Sequence, residues 1–386
     1  MESAAQNLDT IVVGAGPAGL AAALALRQSG RETICLGPTP DPARPDRRTT
    51  ALLGGSVRFL ESLGLWDELK PQAAPLRALR LIDCTKRLFR APDTAFDAEE
   101  IGEDAFGYNI PNEALVAVLR ARLGEAHRPT RGVTAVEPSG EGVRLTLPGG
   151  EALRARLVVG ADGRDSLCRK AAGISARTLT YDQTAIAGNF RHSRPHHDAC
   201  TELHFAAGPF TVVPLPGDCS SLVWVERPAE AARLMALDER AFAAAIAERL
   251  QGVLGDITEI GARAAFPLSG LVAQKLAQGR IALVGEAAHV IPPIGAQGLN
   301  LGFRDVADLV RCVDGAADPG APAVLAAYER ARRTDVFART LAADILNRTL
   351  ISSLVPLQMA RGIGLAGLSM LPPLRRIAMR RGMAMR

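Results

Sequence analysis

The stretch Arg280-Ile-Ala-Leu-Val-Gly-Glu-Ala-Ala-His-Val-Ile-Pro-Pro-Ile-Gly-Ala-Gln-Gly-Leu-Asn-Leu-Gly302 decides how this chain folds. Ile281 to Val284 is a short apolar run with the composition of a buried strand. The acid Glu286 follows, then a Pro/Gly loop, and a helix is expected to open near Gly298. Glycines at 295, 298 and 302 let backbone come close to a flat ligand, because no Cβ intervenes. Loop amides and the helix N-terminus offer hydrogen-bond donors and partial positive charge to an anionic group.

The N-terminus supplies the other half of a dinucleotide site. Asp9-Thr-Ile-Val-Val13 is a β-branched run that reads as a buried strand. Gly14-Ala-Gly-Pro-Ala-Gly19 follows, Leu20 to Ser29 is Ala/Leu-rich and helical, Gly30 is a helix stop, and Glu32 to Leu36 is a second strand. That order is the Rossmann fingerprint: Gly14 for the tight turn, Gly16 for approach of a pyrophosphate, Gly19 for close helix–strand packing. Spacing alone does not identify it. Gly362-Ile-Gly-Leu-Ala-Gly367 has the same spacing, but no clear strand precedes it and Pro372-Pro373 follows. The acid that normally holds the adenosine ribose at the end of the second strand is missing, and Gly37 stands there. Backbone groups, or Asp41 or Asp46 from the Pro-rich loop, remain as ribose partners.

Two further stretches carry chemistry. Leu157-Val-Val-Gly-Ala-Asp-Gly-Arg-Asp-Ser-Leu-Cys-Arg169 is a strand delivering Asp162 to a glycine turn, with Asp165 or Ser166 placed to cap the helix that carries Arg169. In Asp46-Arg-Arg-Thr-Thr-Ala-Leu52, Arg48 offers a guanidinium fork suited to a diphosphate, and Arg47 reads as solvated.

Together these motifs resemble the FAD-contacting motifs of the single-component flavin-dependent aromatic hydroxylases, the para-hydroxybenzoate hydroxylase type. That family usually has Gly-Asp-Ala-Ala-His at the 285–289 stretch, and here Glu286 replaces the Asp. Arg48-Thr-Thr-Ala-Leu52 and Gly64-Leu-Trp66 resemble the ubiquinone-biosynthesis branch. The resemblance implies FAD as cofactor, bound through Gly14, Gly16, Gly19, Arg48, Asp162, Glu286, Gly298, Leu299 and Asn300. It implies that the Pro293 carbonyl faces the reactive edge of the flavin, which makes Pro293 the candidate catalytic position. Arg169 is then structural or faces nicotinamide. His289 reads as a structural residue that holds loop carbonyls.

The 386 residues suffice for two domains with sizeable cores. Six cysteines, at 35, 84, 168, 200, 219 and 312, show no metal-like spacing, no metal site is expected, and they read as free thiols. The opening residues lack the pattern of a secretory signal, and no apolar run reaches the roughly 18 residues of a membrane span. The location expected is the cytoplasm, or the inner face of a membrane as a peripheral protein. Net charge is +4, but Ile351 to Arg386 holds six arginines and no acid. That segment, with apolar Ile363 to Leu374, is either a solvated surface helix pair or a membrane or partner surface. Nucleic acid is not expected, because no aromatic platform accompanies the charge.

The fold class expected is α/β: a Rossmann-like FAD-binding domain, discontinuous over 1–75, 109–178 and 269–330, an inserted β-sheet substrate domain of 76–108 and 179–268, and C-terminal helices over 331–386. Leu79 to Arg90 reads as a strand pair, 91–107 as irregular, Asn112 as a helix N-cap, and Val133 to Leu147 as a hairpin. His192, His196 and His197 read as surface, and Tyr108 and Tyr181 as core or rim. The function implied is hydroxylation of an aromatic ring, with a polyprenyl phenol as substrate, molecular oxygen as co-substrate and NAD(P)H or another donor reducing FAD. In the family's chemistry a flavin C4a-hydroperoxide transfers the hydroxyl. The alternatives are a hydroxylase of a small soluble phenol, a flavin-dependent reductase of isoprenoid double bonds, and a non-catalytic flavoprotein scaffold of a biosynthetic complex.

Overall fold

The computed structural model describes residues 7–43, 46–85, 92–293, 295–351 and 371–382. Its first layer grows from the strand Asn7–Val13, whose Ile11, Val12 and Val13 are all buried. Such a continuous apolar run suits a strand with parallel neighbours and helices on both faces. It pairs in parallel with Ala152–Gly160 on one side and Thr33–Gly37 on the other, and Ile281–Leu283 lies in parallel beyond Ala152–Gly160. The helix Pro17–Gln28 makes the first crossover, with Pro at its start where a missing N–H is harmless. Val13 is in register with Gly160, and Gly160 with Leu283. All three motif-bearing turns therefore leave the sheet side by side at its carboxyl edge, where ligands bind in open α/β sheets. The hairpin Ala135–Pro138 and Val143–Thr146 flanks this layer.

The second layer is a sheet in the order His289–Val290, Ile257–Ala273, Ala176–His192, Cys219–Glu226, Pro209–Leu215, Ala199–His204, Ala78–Asp83, Thr94–Asp97. One face carries Ile186, Phe190, Phe210, Leu222 and Trp224, and the helix Glu239–Leu250 packs on it through Phe242 and Ile246. The opposite face turns toward the flank of the first layer, a small three-stranded sheet in the order Thr49–Leu53, Gly107–Pro111, Ala74–Pro75. Its Asn189 donates Nδ2–H to the Arg47 carbonyl (3.1 Å), and its Ser221 Oγ accepts from Asn109 Nδ2 (3.2 Å). Asn109 also donates to the Pro214 carbonyl, 2.9 Å away. This second layer is a roof hydrogen-bonded onto the first.

Several local expectations are corrected. Thr94–Asp97, in the stretch expected to be irregular, is a strand that pairs with Ala78–Asp83, and its burial alternates as a strand requires. Part of the expected pair, residues 86–91, lies outside the described residues. Pro111 holds the cap position before the helix Asn112–Leu123, while the Asn112 side chain bonds Thr50 and Asp46. His192 is buried, its ring nitrogens against the Arg194 carbonyl and Ser220 Oγ, and the partly buried His196 ring meets the Leu215 and Gly217 carbonyls. His197 is exposed. The helix Pro322–Ile351 runs unbroken through 330/331, so the chain has no break where the C-terminal segment was expected to start.

The helices Gln297–Val313 and Pro322–Ile351 meet around Asp305, which is fully buried. Its Oδ2 accepts from Gly285 N (3.0 Å) and from His289 Nε2 (2.6 Å), and its Oδ1 accepts from Arg332 Nε (2.8 Å). His289 is thus structural, but its partner is this carboxylate rather than loop carbonyls. Arg332, also buried, reaches on to Asp308 and Asp335. Burial alone would raise the Asp305 carboxyl, but charge and hydrogen bonds from His289 and Arg332 outweigh it and hold the group below the usual carboxylate range. Breaking a buried pair typically costs about 3–5 kcal/mol, because the partner stays buried and uncompensated. Asp305→Ala is expected to lose stability of that order in urea unfolding. A folded-state pKa held low contributes stability that is present above the unfolded value and disappears as pH falls through the folded one. Asp305→Asn should therefore shrink the loss of stability seen in thermal melts on the acid side.

Candidate active site

The glycines of the first turn divide by function. A Cβ on Gly14 would lie 2.1 Å from the Ala161 carbonyl oxygen, and one on Gly19 1.9 Å from the Gly14 carbonyl oxygen, so both are demanded by packing. A Cβ on Gly16 or Gly298 would meet nothing within 4 Å. These two positions border open space, as a ligand cradle requires. The helix Pro17–Gln28 starts at Gly16, and Gln297–Val313 starts after Ala296, which is in the left-handed region at φ 52°. Neither helix has a side-chain cap or an acid in its first turn. They pack closely: a Cβ on Gly302 would lie 3.3 Å from Gly285 Cα and 3.5 Å from Ala18 Cβ. Two uncapped N-termini in neighbouring helices suit a ligand with two negative regions, a diphosphate and the electron-rich pole of a reduced flavin.

Glu286 is exposed inside an otherwise buried run from Ile281 to Pro292. Arg169, buried, donates Nη1–H to the Ala287 carbonyl and Nη2–H to the Arg164 carbonyl, both at 2.8 Å, which clasps the Asp162 loop to the Glu286 turn. Asp162 accepts from Ser166 Oγ (2.5 Å) and Cys168 N (3.0 Å), and Ser166 Oγ caps its helix by accepting from Arg169 N. Asn300 is likewise committed within the protein. Its Oδ1 accepts from Leu53 N and Ser56 Oγ, and its Nδ2 donates to the Ala51 and Ala296 carbonyls. Gly298 and Leu299 lie in the first turn of that helix, and Pro293 is exposed just before it.

Arg48 lies between the roof and this crevice. Its Nε and Nη2 close on Asp46 (2.7 and 2.8 Å), its guanidinium stands 5.8 Å from the Phe266 ring centroid, and Glu286 adds negative charge nearby. The hydrogen bonds it donates to Asp46, with the charges of Asp46 and Glu286, raise its pKa despite burial. At Gly37 a Cβ would lie 2.5 Å from Ala15 N, so the glycine turn excludes an acid there. The two acids considered for the ribose have other partners: Asp41 accepts from Ala43 N, and Asp46 holds Arg48 and Asn112. Tyr108 packs edge-on against Trp66, and Tyr181 donates its hydroxyl to Asp344 at 2.7 Å.

Sequence reading missed Asp305, Asn109 and Asn189. A signal for Asp305 existed: it sits four residues after Leu301 and four before Leu309, an acid on the buried stripe of a helix. The site fits FAD in its open glycine cradle, uncapped helix starts and exposed acid. Losing a hydrogen bond to a charged group typically costs about 1.5–3 kcal/mol. Glu286→Ala should therefore bind FAD roughly 10- to 100-fold more weakly by fluorescence titration, while Glu286→Asp stays close to the parent. Unchanged affinity in the alanine variant would exclude the carboxylate as a ligand.

Comparison with known proteins agrees with this geometry. A family model described as FAD binding domain matches residues 7–343. A ubiquinone hydroxylase of Rhodospirillum rubrum is 37% identical over 393 residues, covering 99% of this chain and 90% of the relative. The 3-demethoxyubiquinol 3-hydroxylase of Escherichia coli is 32% identical over 375 residues, covering 93% and 94%. Among solved structures, p-nitrophenol 4-monooxygenase from Pseudomonas putida DLL-E4 superposes with a TM-score of 0.78 at 19% identity, covering 98% of both chains. Klebsiella pneumoniae HpxO complexed with FAD and uric acid does so at 0.79 and 19%, covering 97% of both. With its glycine cradle, its three motif turns at one sheet edge and this span of similarity, the chain belongs to the FAD binding domain family of FAD-dependent monooxygenases.

Proposed function

We propose that this chain hydroxylates the ring of a prenylated phenol in ubiquinone biosynthesis, using FAD, molecular oxygen and NAD(P)H as electron donor. The observation that carries this reading is the inner face of the roof sheet. Ala185, Ala187, Val213, Val223 and Phe266 share that face by strand register, above the crevice of Glu286 and Gly298. An apolar roof over an anion-friendly floor suits a greasy aromatic ring held against a flavin. The names of the Rhodospirillum and Escherichia relatives point to the same substrate class. Bound FAD, once reduced, supplies the oxygen activation.

The protein's own residues bind, aim and shield. Gly14, Gly16 and Gly19 form the diphosphate turn, with Arg48 beside it. Glu286 accepts from the ribityl chain, and Asp162 shapes the neighbouring loop. The first turn of the helix at Gln297, with Gly298 and Leu299, faces the negative pole, while Asn300 pins that turn to the 51–56 segment. The Pro293 carbonyl would border the reacting edge of bound FAD. The roof keeps water out, which limits wasteful release of peroxide. The purified protein should take up FAD, and a short prenylated phenol should accelerate both NAD(P)H oxidation and oxygen uptake, with a hydroxylated product by mass spectrometry. Oxygen uptake indifferent to any phenol would favour the scaffold reading, and turnover of unprenylated phenols alone would favour the soluble-phenol reading.

A surface feature favours a lipid-side location. On the helix Pro322–Ile351, Phe337, Leu341 and Ile345 are spaced four apart and are 63%, 45% and 52% exposed. The helix Pro372–Gly382 also exposes Leu374 and Ile377, with Arg376 and Arg380 exposed beside them. Arg375 belongs elsewhere: it pairs with Glu100 and lies over Phe96. Most of Ile363 to Leu374, together with Arg361 and Arg386, lies outside the described residues. No helix among the described residues is long and apolar enough to cross a membrane. Apolar side chains with arginines suit peripheral docking on an anionic leaflet, each arginine contributing about 1 kcal/mol at low salt. Anionic liposomes should float the protein at low salt and release it at high salt. Phe337→Asp with Leu341→Asp should abolish flotation while FAD stays bound. Flotation unchanged by these substitutions would move the lipid contact off this helix.

A further inference from the structure

Two carboxylates interrupt the inner face of the roof: the buried Asp83, whose Oδ1 accepts from Thr85 N and Oγ1, and Glu202. Along Ala199–His204, Leu203 is in register with Phe210 and Thr201 with Val212. Leu203, Phe210 and Val212 belong to the core under the helix Glu239–Leu250, so that side of the strand is the outer one. Glu202 therefore points the other way. It is in register with Thr211, and Thr211 with Val223, which puts Glu202 on the face shared by Val213, Ser221 and Val223. Ser221 on that face takes the hydrogen bond of Asn109 from the first layer. On the other side Glu202 is in register with Leu81, beside the apolar cluster of Phe96 and Met379.

The Glu202 side chain is 12% exposed. Its Oε1 lies 2.6 Å from His204 Nε2, and its Oε2 accepts a long hydrogen bond, 3.5 Å, from Thr211 Oγ1. A carboxylate has about four lone-pair positions, so two hydrogen bonds leave acceptor capacity on Glu202. For stability alone the pair is a poor choice, since buried polar groups cost desolvation that apolar side chains of similar size avoid. A fixed acceptor amid apolar walls is what recognition of one hydroxyl on a greasy ring requires.

We propose that Glu202, oriented by His204 and Thr211, accepts the hydrogen bond of the substrate's phenol hydroxyl and so sets which edge of the ring meets the floor of the site. The assignment rests on the phenol reading given above. It implies a specificity: a phenol or quinol donates to Glu202, whereas a quinone or a methyl ether offers no donor and leaves a buried carboxylate facing an oxygen lone pair. Sites that hydrogen-bond a substrate hydroxyl reject analogues without it strongly.

The test uses FAD-loaded protein and the change in flavin absorbance on titration with ortho-prenylphenol and with its methyl ether. The wild type should prefer the phenol by roughly 10- to 100-fold, the range for a hydrogen bond to a charged group. Glu202→Leu should abolish that preference and bind both compounds alike, with FAD affinity unchanged. Glu202→Gln, which preserves shape and one acceptor oxygen, should narrow the preference, and it decides the matter if the leucine variant does not fold. A preference intact in the variants overturns the assignment. Equal binding of both compounds by the wild type also overturns it while leaving the phenol reading in place. Binding of neither compound by the wild type removes the phenol reading, and the role of Glu202 with it.

Discussion

The buried carboxylate of Asp305 ties together the parts on which the site depends. It accepts from the Gly285 amide and His289 in the turn that displays Glu286, and from Arg332 on the last long helix. A carboxylate out of water is tolerable only with several good donors. Those three donors come from two separate stretches of chain, and Asp305 stands on a third, so satisfying it sets the distances among them. Arg169 makes a second such tie, from the Asp162 loop to the Ala287 carbonyl. The exposed acid Glu286 thus stands on a turn held from below by an anion and from the side by a cation.

This arrangement separates support from binding. Gly14 and Gly19 are excluded from bearing side chains by backbone contacts, whereas Gly16 and Gly298 face open space. Asp162 and Asn300 spend their side-chain hydrogen bonds inside the protein, where they fix loops and helix starts. On the proposed reading, ligand-facing chemistry is left to backbone amides, Glu286 and the neighbourhood of Arg48. The absence of an acid at Gly37 follows the same logic, because the Ala15 backbone occupies the space its Cβ would need.

The roof has the opposite character. Its two faces differ because strand residues alternate, and only one face is covered by the helix Glu239–Leu250. The other face is mostly apolar but carries Asn189 and Ser221, which bond to the first layer, and the carboxylates Asp83 and Glu202, the latter standing with His204 and Thr211. Asn189 and Ser221 on that face thus serve as fasteners, and Glu202 is the acceptor proposed for the substrate hydroxyl.

The parallel strands, the glycine turn and the helix near Gly298 were legible in the sequence because their causes are local. A β-branched run, a glycine without Cβ and an Ala/Leu-rich helix act within a few residues. Glu286 was legible for the same reason, an acid between a buried strand and a Pro/Gly loop. The roles of Asn300, Asp305 and Glu202 were not. Asn300 read as a ligand residue, and the sequence did not show that its side chain also ties together segments some 250 positions apart. Thr201-Glu202-Leu203-His204 alternates in polarity, but alternation does not say which face meets the cavity. That depends on register with Pro209–Leu215 and on which face the helix Glu239–Leu250 covers. The sequence by itself determined the elements and the dinucleotide turn. Tertiary structure decided which polar side chains bind and which brace, because a buried charge or amide takes its role from partners that only folding brings within hydrogen-bond distance.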